Sequence, residues 1–458
     1  MKEINKIKNI YFLGIGGIGM SALARYFKSL GANVSGYDKT PTPLTSELIK
    51  EGINVHFDEN INAIPENVDL VVYTPAVPKD HKEFIYLKEN KFSLKKRAEV
   101  LAGVVNDSFT IAVAGTHGKT TITSMIAHIL KCAKKDVMAF IGGIAKNYKS
   151  NLILSGKNSI AVVEADEYDR SFLQLHPDIA VISAMDADHL DIYGDKNYVV
   201  ESFTLFAKQI RNEGKLFLKK SLKLTDDKIK YQSYSAKVKC EYMASDIKVS
   251  DGAFYFTLNF PENKKTEIKA GVPGMHNVEN AVAAAAVAYQ MGVQVNVIKK
   301  ALESYSGVMR RFDYRINEKE LVFIDDYAHH PEEIKACLNA VRELYPSKKI
   351  TGVFQPHLFS RTRDFADGFA ESLAMLDECI LLDIYPAREL PIKGVTSEML
   401  LEKIKIKNKS LCTRDDLIEE LVKRKLEVLV TIGAGDIDQL VLPIEKSLKN
   451  ILKIQREF

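Results

Sequence analysis

The strongest chemistry in this sequence lies in one short stretch, Gly115-Thr116-His117-Gly118-Lys119-Thr120-Thr121. It follows an apolar run, Phe109 to Ala114, and opens a helical pattern from Thr120 to Leu130. Gly-Lys-Thr between a strand and a helix is the heart of a P-loop. Its backbone N–H groups surround phosphates, its lysine reaches the β- and γ-phosphates, and its threonine hydroxyl ligates Mg²⁺. The match departs from G-x-x-x-x-G-K-[ST] at one place, where Val113 stands for the first glycine. Two acidic stretches follow. A strand over Ile160 to Val163 delivers Glu164-Ala165-Asp166-Glu167, and a carboxylate at a strand end beside a P-loop is well placed to hold Mg²⁺. The next strand, Ile179 to Ile182, leads to Asp186-Ala187-Asp188-His189-Leu190-Asp191. A histidine among acids reads alone as a cap or ion-pair partner; beside a P-loop, His189 reads as a metal or catalytic group.

A second glycine loop lies near the start. Gly14-Ile15-Gly16-Gly17-Ile18-Gly19 matches G-x-G-x-x-G, after the apolar run Asn9 to Leu13 and before a helical pattern from Ile18 to Leu30. Glycines let the backbone approach a pyrophosphate, whose charge sits at the helix N-terminus. Asp38 ends the next strand, Asn33 to Tyr37, about where an acidic residue meets a ribose hydroxyl. Thr74-Pro75-Ala76 follows a strand over Val68 to Tyr73, at the end of an open sheet where ligands collect. The motif serves any nucleotide diphosphate, so NAD and a UDP-sugar both remain open, as does a tight turn with no ligand.

These loops need sheets to hold them. Strands and helices alternate along the chain, which implies parallel sheets. Three successive α/β units are expected, with the third carrying strands at Leu321 to Ile324, Ile350 to Phe354, Glu378 to Asp383 and Glu427 to Thr431. Residues 215–270 read as short strands and turns, and Ala281 to Ala288 as part of a closely packed helix. At 458 residues the chain is too long for one core. The expected domains are 1–106, 107–306 and 307–458, with a hinge near Ser306 to Met309. A charged fraction of 27% and a net charge of +3 spread along the chain give no reason to expect nucleic acid. The five cysteines, Cys132, Cys240, Cys337, Cys379 and Cys412, form no C-x-x-C pair, which fits a reducing, cytoplasmic compartment. The first twelve residues imitate a signal peptide, but glycines and Arg25 interrupt the apolar run. No run of about 18 apolar residues suggests a membrane span.

Taken together, the sequence resembles the Mur ligase family. Gly-Thr-His-Gly-Lys-Thr-Thr (115–121), Glu-Ala-Asp-Glu (164–167) and Asp-His-Leu-Asp (188–191) match its motifs in order and spacing. So do Val-Pro-Gly-Met-His-Asn-Val-Glu-Asn (272–280), Arg-Arg-Phe-Asp (310–313) and Asp-Asp-Tyr-Ala-His-His-Pro (325–331). The resemblance runs over nearly the whole chain. Within the family, the Gly-Ile-Gly-Gly-Ile-Gly-Met-Ser opening, His-His-Pro and Gln355-Pro356-His357 look like the alanine-adding branch.

The resemblance implies an N-terminal Rossmann-like UDP-binding domain, a central P-loop ATPase domain with a mainly parallel sheet, and a C-terminal Rossmann-like α/β domain admitting the amino acid. It implies ATP and Mg²⁺, with UDP-N-acetylmuramate and L-alanine as substrates, and a monomer or weak homodimer. UDP-sugar contacts fall on Gly14, Gly16, Gly17, Ile18, Gly19, Asp38 and Thr74. ATP contacts fall on Gly115 to Thr121, His276, Asn277, Asn280, Arg311 and Asp326. Lys119 grips the transferred phosphate and Arg311 reaches phosphate from the third domain, with Asp326 facing the ribose. Thr120, Glu164 and His189 serve the metal; Lys119, His189 and Arg311 form the catalytic set; His329, His330 and Arg361 surround the amino acid. Two departures stand out. Several relatives carry a carbamylated lysine after Asp-His, whereas the stretch Tyr198 to Phe203 has no lysine before Lys208, as in the alanine-adding branch. Leu358 also follows Gln-Pro-His where many relatives have arginine. The rivals are a ligase adding a recycled peptide to the same sugar, an NAD-dependent oxidoreductase, and a P-loop ATPase without bond synthesis.

Overall fold

The computed structural model describes residues 6–156, 160–186, 196–387 and 389–457. Three mixed or parallel sheets account for its strands. In the first, β1 (Asn9–Leu13), β2 (Asn33–Tyr37), β3 (Asn54–His56), β4 (Leu70–Tyr73) and β5 (Leu94–Lys96) lie in the order β3-β2-β1-β4-β5. All four pairings are parallel. Residues alternate between the two faces of β1. Tyr11 and Leu13 enter one cluster of buried side chains, and Ile10 and Phe12 enter the other. Both faces are covered, so the strand reads as continuous apolar sequence. The strand order reverses around β1, which puts the Gly14–Gly19 loop at a topological switch point.

The second sheet contains ten strands: β6 (Phe109–Ala114), β7 (Val137–Ala145), β8 (Ser150–Leu154), β9 (Ile160–Ala165), β10 (Ile179–Ile182), β11 (Lys215–Lys219), β12 (Gln232–Ser235), β13 (Tyr242–Ser250), β14 (Ala253–Asn259) and β15 (Lys265–Lys269). β6 lies between β10 and β9, parallel to both. Every residue of β6 after Phe109 is buried, so its carboxyl end is fixed on all sides. The hairpin β7–β8 forms one edge and was not anticipated from the sequence. Glycines at 142 and 143 break its apolar pattern, and the pairing shifts register between Phe140 and Ala145.

The third sheet holds β16 (Asp313–Asn317), β17 (Val322–Asp326), β18 (Ile350–Phe354), β19 (Glu378–Leu381), β20 (Lys409–Leu411) and β21 (Val428–Ile432). Its order is β16-β17-β21-β18-β19-β20, parallel except for the antiparallel edge β16. This is the three-sheet α/β organisation expected.

The chain separates into two compact units. One comprises residues 1–245, 257–268 and 279–306; the other comprises 246–256, 269–278 and 307–458. The last division, between Ser306 and Gly307, falls within the expected hinge segment. Within the first unit, the helix Ile18–Ser29 docks on the β7–β8 hairpin through Asn151, which is fully buried. The Asn151 amide donates to Ile18 O (2.6 Å) and Ser21 Oγ (2.8 Å) and accepts from Arg25 Nη1 (2.5 Å). Apolar residues of the first two sheets share one buried cluster, so both glycine loops belong to one packed body.

Candidate active site

The P-loop is built as β6, a glycine turn and the helix Lys119–Cys132. Gly115 has φ +139°, and a Cβ there would lie 2.2 Å from Ser183 Oγ and 2.8 Å from Ala184 N. Gly118 has φ +85°, and a Cβ there would come 2.8 Å from Asn280 Oδ1. No larger residue fits either position, and Asn280 is thereby brought against the loop. Ser183 Oγ donates to His117 O (2.5 Å), and Thr116 Oγ1 accepts from Asp186 N (3.1 Å). His117 Nε2 lies 3.4 Å from Asp186 Oδ2. Thr121 is buried in the first helical turn.

Lys119 Nζ donates to Gly115 O (2.8 Å) and to both carboxylate oxygens of Glu167 (2.7 and 2.9 Å). Burial works against the lysine's charge. The facing carboxylates, Glu167 foremost, outweigh it and hold the ammonium above its ordinary pKa. Thr120 Oγ1 lies 3.1 Å from Glu164 Oε2, and Glu164 Oε1 accepts Gly142 N–H (2.5 Å). A Cβ on Gly142 would lie 2.7 Å from each Glu164 oxygen, so the glycine leaves the carboxylate its place. Burial raises the Glu164 pKa despite the Gly142 N–H, Lys119 and Thr120, so a cation is what would stabilise its charged form. Hydroxyl and carboxylate oxygens are the donor set a hard divalent cation prefers. His189, expected to join them, lies outside the described residues. Among the described residues, no three His, Cys, Asp or Glu side chains group to hold a metal ion.

At the first loop, Gly14 and Ile15 N–H donate to Tyr37 O, and Gly17 N–H donates to Gly14 O. Gly16 N–H donates to Asp38 Oδ2 at 2.7 Å. Asp38 thus ties the loop down with one oxygen and accepts Thr40 N–H with the other. Thr74 lies against this loop: a Cβ on Gly14 would meet Thr74 Cγ2 at 3.9 Å. Gly17 caps the helix Ile18–Ser29 without a side-chain bond, and no acid stands in its first turn. The opening N–H groups of a helix have no intrahelical partner. Those of Ile18 and Gly19 open this helix directly after the glycine turn.

In the second unit, Arg310 Nε pairs with Asp325 Oδ2 (3.2 Å), which also accepts from Thr431 through its other oxygen (2.8 Å). Asp326 is buried and accepts Phe312 N–H (2.7 Å) and Ala328 N–H (2.8 Å). Burial pushes its pKa up to about 6, while Arg311 and the two N–H donors pull the other way. Arg311 lies over the Tyr327 ring at 4.8 Å, with Glu333 Oε1 at 3.8 Å, and its side chain is 31% exposed. His329 Nδ1 approaches Tyr327 O and Glu333 Oε2 (both 3.2 Å). The His329 and His357 rings are 6.3 Å apart, and Arg361 Nη1 is 3.4 Å from His357 Nδ1. His330 instead caps the helix Pro331–Leu344 and packs on Phe365. Leu358 has φ +70°, an uncommon conformation for a branched residue at the start of the helix Phe359–Asp364. His276 adjoins Gly274, and the Asn277 amide donates to Pro273 O (2.7 Å).

Comparison with known families matches the Mur ligase family catalytic domain over residues 9–108, the Mur ligase middle domain over 113–288 and the glutamate ligase domain over 310–435. The chain belongs to the Mur ligase family. Among curated relatives, the UDP-N-acetylmuramate–L-alanine ligase of Flavobacterium johnsoniae is 52% identical, over 97% of this chain and 99% of its own. That of Porphyromonas gingivalis is 48% identical over 97% and 100%. Among solved structures, the UDP-N-acetylmuramate–alanine ligase of Thermotoga maritima superposes with TM-score 0.85 at 28% identity, covering 97% of this chain and 99% of its own. A murein peptide ligase from Psychrobacter arcticus shares the fold, with TM-score 0.75 at 24% identity over 97% and 99%.

Of the residues the Mur ligase motifs single out, Gly115, Gly118, Lys119, Thr120, Glu164 and Asn280 gather around one P-loop. His329 and Arg361 gather around His357. Three residues take places that motif reading did not assign: Glu167 as partner of Lys119, His357 between His329 and Arg361, and Arg97, whose Nη2 stands 3.6 Å from Asp166 Oδ2. Glu167 and His357 stand inside quoted motifs. Arg97 follows Lys95-Lys96 at the carboxyl end of β5, a strand too short for hydrophobic periodicity to reveal.

Proposed function

We propose that this Mur ligase joins L-alanine to the carboxylate of UDP-N-acetylmuramate with ATP, through an acyl phosphate, in peptidoglycan precursor synthesis. The observation that carries the reading is the likeness, over nearly both whole chains, to relatives of that name. The domain limits that go with it are 1–106 for the UDP-sugar, 107–306 for ATP and 307–458 for the amino acid. The family matches 9–108, 113–288 and 310–435 support these limits.

A carboxylate does not react with an amine near neutral pH, because oxide is a poor leaving group. Transfer of the γ-phosphoryl group to the muramyl carboxylate makes an acyl phosphate, which the amine attacks with loss of phosphate. The difficulty lies in bringing two anions together. Lys119 exchanges Glu167 for the γ-phosphate, and Arg311 adds a second positive charge. Thr120 and Glu164 are the residues that would hold Mg²⁺, which neutralises phosphate charge when bound. His189 is proposed as a further ligand on motif grounds alone. Asn277, Asn280, His276 and Asp326 are assigned to the nucleoside side. His329, His330 and Arg361 are assigned around the amino acid, with His330 acting through the helix it caps. Water must be kept from the acyl phosphate, which requires closure over the reactants.

No helix among the described residues is long and apolar enough to cross a membrane, and the five cysteines are free thiols. The free thiols fit a reducing compartment, and the enzyme is proposed to be cytoplasmic and a monomer or weak homodimer. The test is phosphate release from ATP by the full chain. It is expected only when UDP-N-acetylmuramate and L-alanine are both present. Release with UDP-sugar and intact peptide but not alanine would reassign the substrate, and release with neither would remove the ligase reading.

A further inference from the structure

Arg97 opens the helix Arg97–Val105 directly after β5. Its guanidinium lies against Gly19 in the first turn of the helix Ile18–Ser29. A Cβ on Gly19 would meet Arg97 Nη1 at 2.8 Å and Cδ at 3.2 Å. The last glycine of G-x-G-x-x-G is therefore the space this side chain occupies. On the other side, Arg97 Nη2 stands 3.6 Å from Asp166 Oδ2, and the side chain keeps 28% of its exposure. Asp166 neighbours Glu167, which holds Lys119. One guanidinium thus spans from the first glycine loop to the acidic run of the P-loop site, inside a single packed unit.

The loop's remaining needs point to what Arg97 meets. Gly14 to Gly17 spend their N–H groups within the loop and on Asp38 and Tyr37. The helix start offers unpaired N–H groups by its geometry but has no acidic residue to complement them. A diphosphate lying there faces backbone N–H on one side and Arg97 on the other. A planar fork of donors suits phosphate oxygens in a way a lysine does not. Among the described residues the ion pair Arg97 makes is with Asp166 at 3.6 Å, and a partly exposed pair of that length contributes little.

We propose that Arg97 binds the diphosphate of the UDP-sugar and that Asp166 aims it, so that substrate seated in the first loop is felt at the acidic run beside Lys119. This rests on the function proposed above. The test is calorimetric binding of UDP, uridine and ATP to the full chain and to Arg97→Ala, Arg97→Lys and Asp166→Asn. Arg97→Ala should weaken UDP at least about tenfold and leave uridine and ATP within about twofold. Arg97→Lys should fall between that variant and wild type, and Asp166→Asn should weaken UDP less than Arg97→Ala does. UDP affinity unchanged in Arg97→Ala overturns the proposal, and so does an equal loss for UDP and uridine, which marks a structural role. If Arg97→Ala does not fold, Arg97→Lys decides: binding of UDP equal to wild type overturns the assignment. Wild-type protein that binds neither UDP nor the UDP-sugar overturns the underlying function as well.

Discussion

Lys119 Nζ lies 2.7 Å from Glu167 Oε2 and 2.9 Å from Oε1, and the carboxylate is buried to 2% exposure. The lysine of this P-loop therefore starts from an ion pair rather than from water. A γ-phosphate must take the place of that carboxylate, and repulsion between the two anions sets the cost of entry.

Replacing Glu167 with Gln removes the competing charge and keeps the shape. ATP and ADP affinity should rise by about tenfold, or ~1.4 kcal/mol. Stability should fall, because a partly buried ammonium loses its counter-charge. Calorimetric titration with each nucleotide and a urea melt would read both. Weaker nucleotide binding would show that Glu167 helps the phosphates rather than displacing them.

Lys119→Ala should abolish ligation while UDP binding stays at the wild-type level. Lys119 Nζ bonds to Gly115 O and Glu167, whereas the first loop draws its contacts from Tyr37 and Asp38. Ligation at a near wild-type rate would remove the P-loop from the reaction.

Asn151→Ala should destabilise the first unit by roughly 1–3 kcal/mol, since it takes from the buried Arg25 Nη1 its Asn151 acceptor and leaves a void where the amide packed. The urea midpoint should drop without a change in slope. An unchanged midpoint would mean that the helix Ile18–Ser29 does not depend on this docking.

Much of this was readable in advance where sequence pattern and chemistry coincide. β6 is apolar except for Thr110, and the Gly115 and Gly118 turn is a place where only glycine tolerates Ser183 and Asn280 so near. Asp38 was legible as a residue but not as a partner. Its position at a strand end suggested a ribose contact, whereas one oxygen is spent on Gly16 N–H. His330 reads as a site residue beside His329, yet the following Pro331 makes it a helix cap. β3, β5 and β20 have three residues each, too few for periodicity, and the side chains they position, Arg97 just after β5 among them, follow from pairing across 19 or more residues.

Asp326 supplies a pH dependence of definite sign. Its folded pKa is about 6, against about 3.9 for a free aspartate. The folded state thus binds the proton more tightly. The stability this contributes is complete below about pH 4 and is lost as pH rises through about 6. Asp326→Asn cannot titrate, so the Tm of wild type minus that of the variant should fall steadily as pH rises over that window. Parallel Tm profiles from pH 4 to 7 would show that the carboxyl is not perturbed.

Arg311 offers a separation of function from stability. Its guanidinium rests on Tyr327 and stands 3.8 Å from Glu333, but it remains 31% exposed. Such contacts are worth about 1 kcal/mol or less. Arg311→Ala should therefore leave Tm nearly intact while kcat falls about a thousandfold, the scale of an arginine that neutralises transferring phosphate. Arg311 also holds the Asp326 pKa down, so the variant should shift that carboxyl's titration above about 6, an effect measurable by NMR without any turnover. A raised Asp326 pKa with unchanged kcat would leave Arg311 an electrostatic neighbour of Asp326 and take it out of phosphoryl transfer. A thousandfold loss of kcat at constant Tm would place its charge on the reacting phosphate.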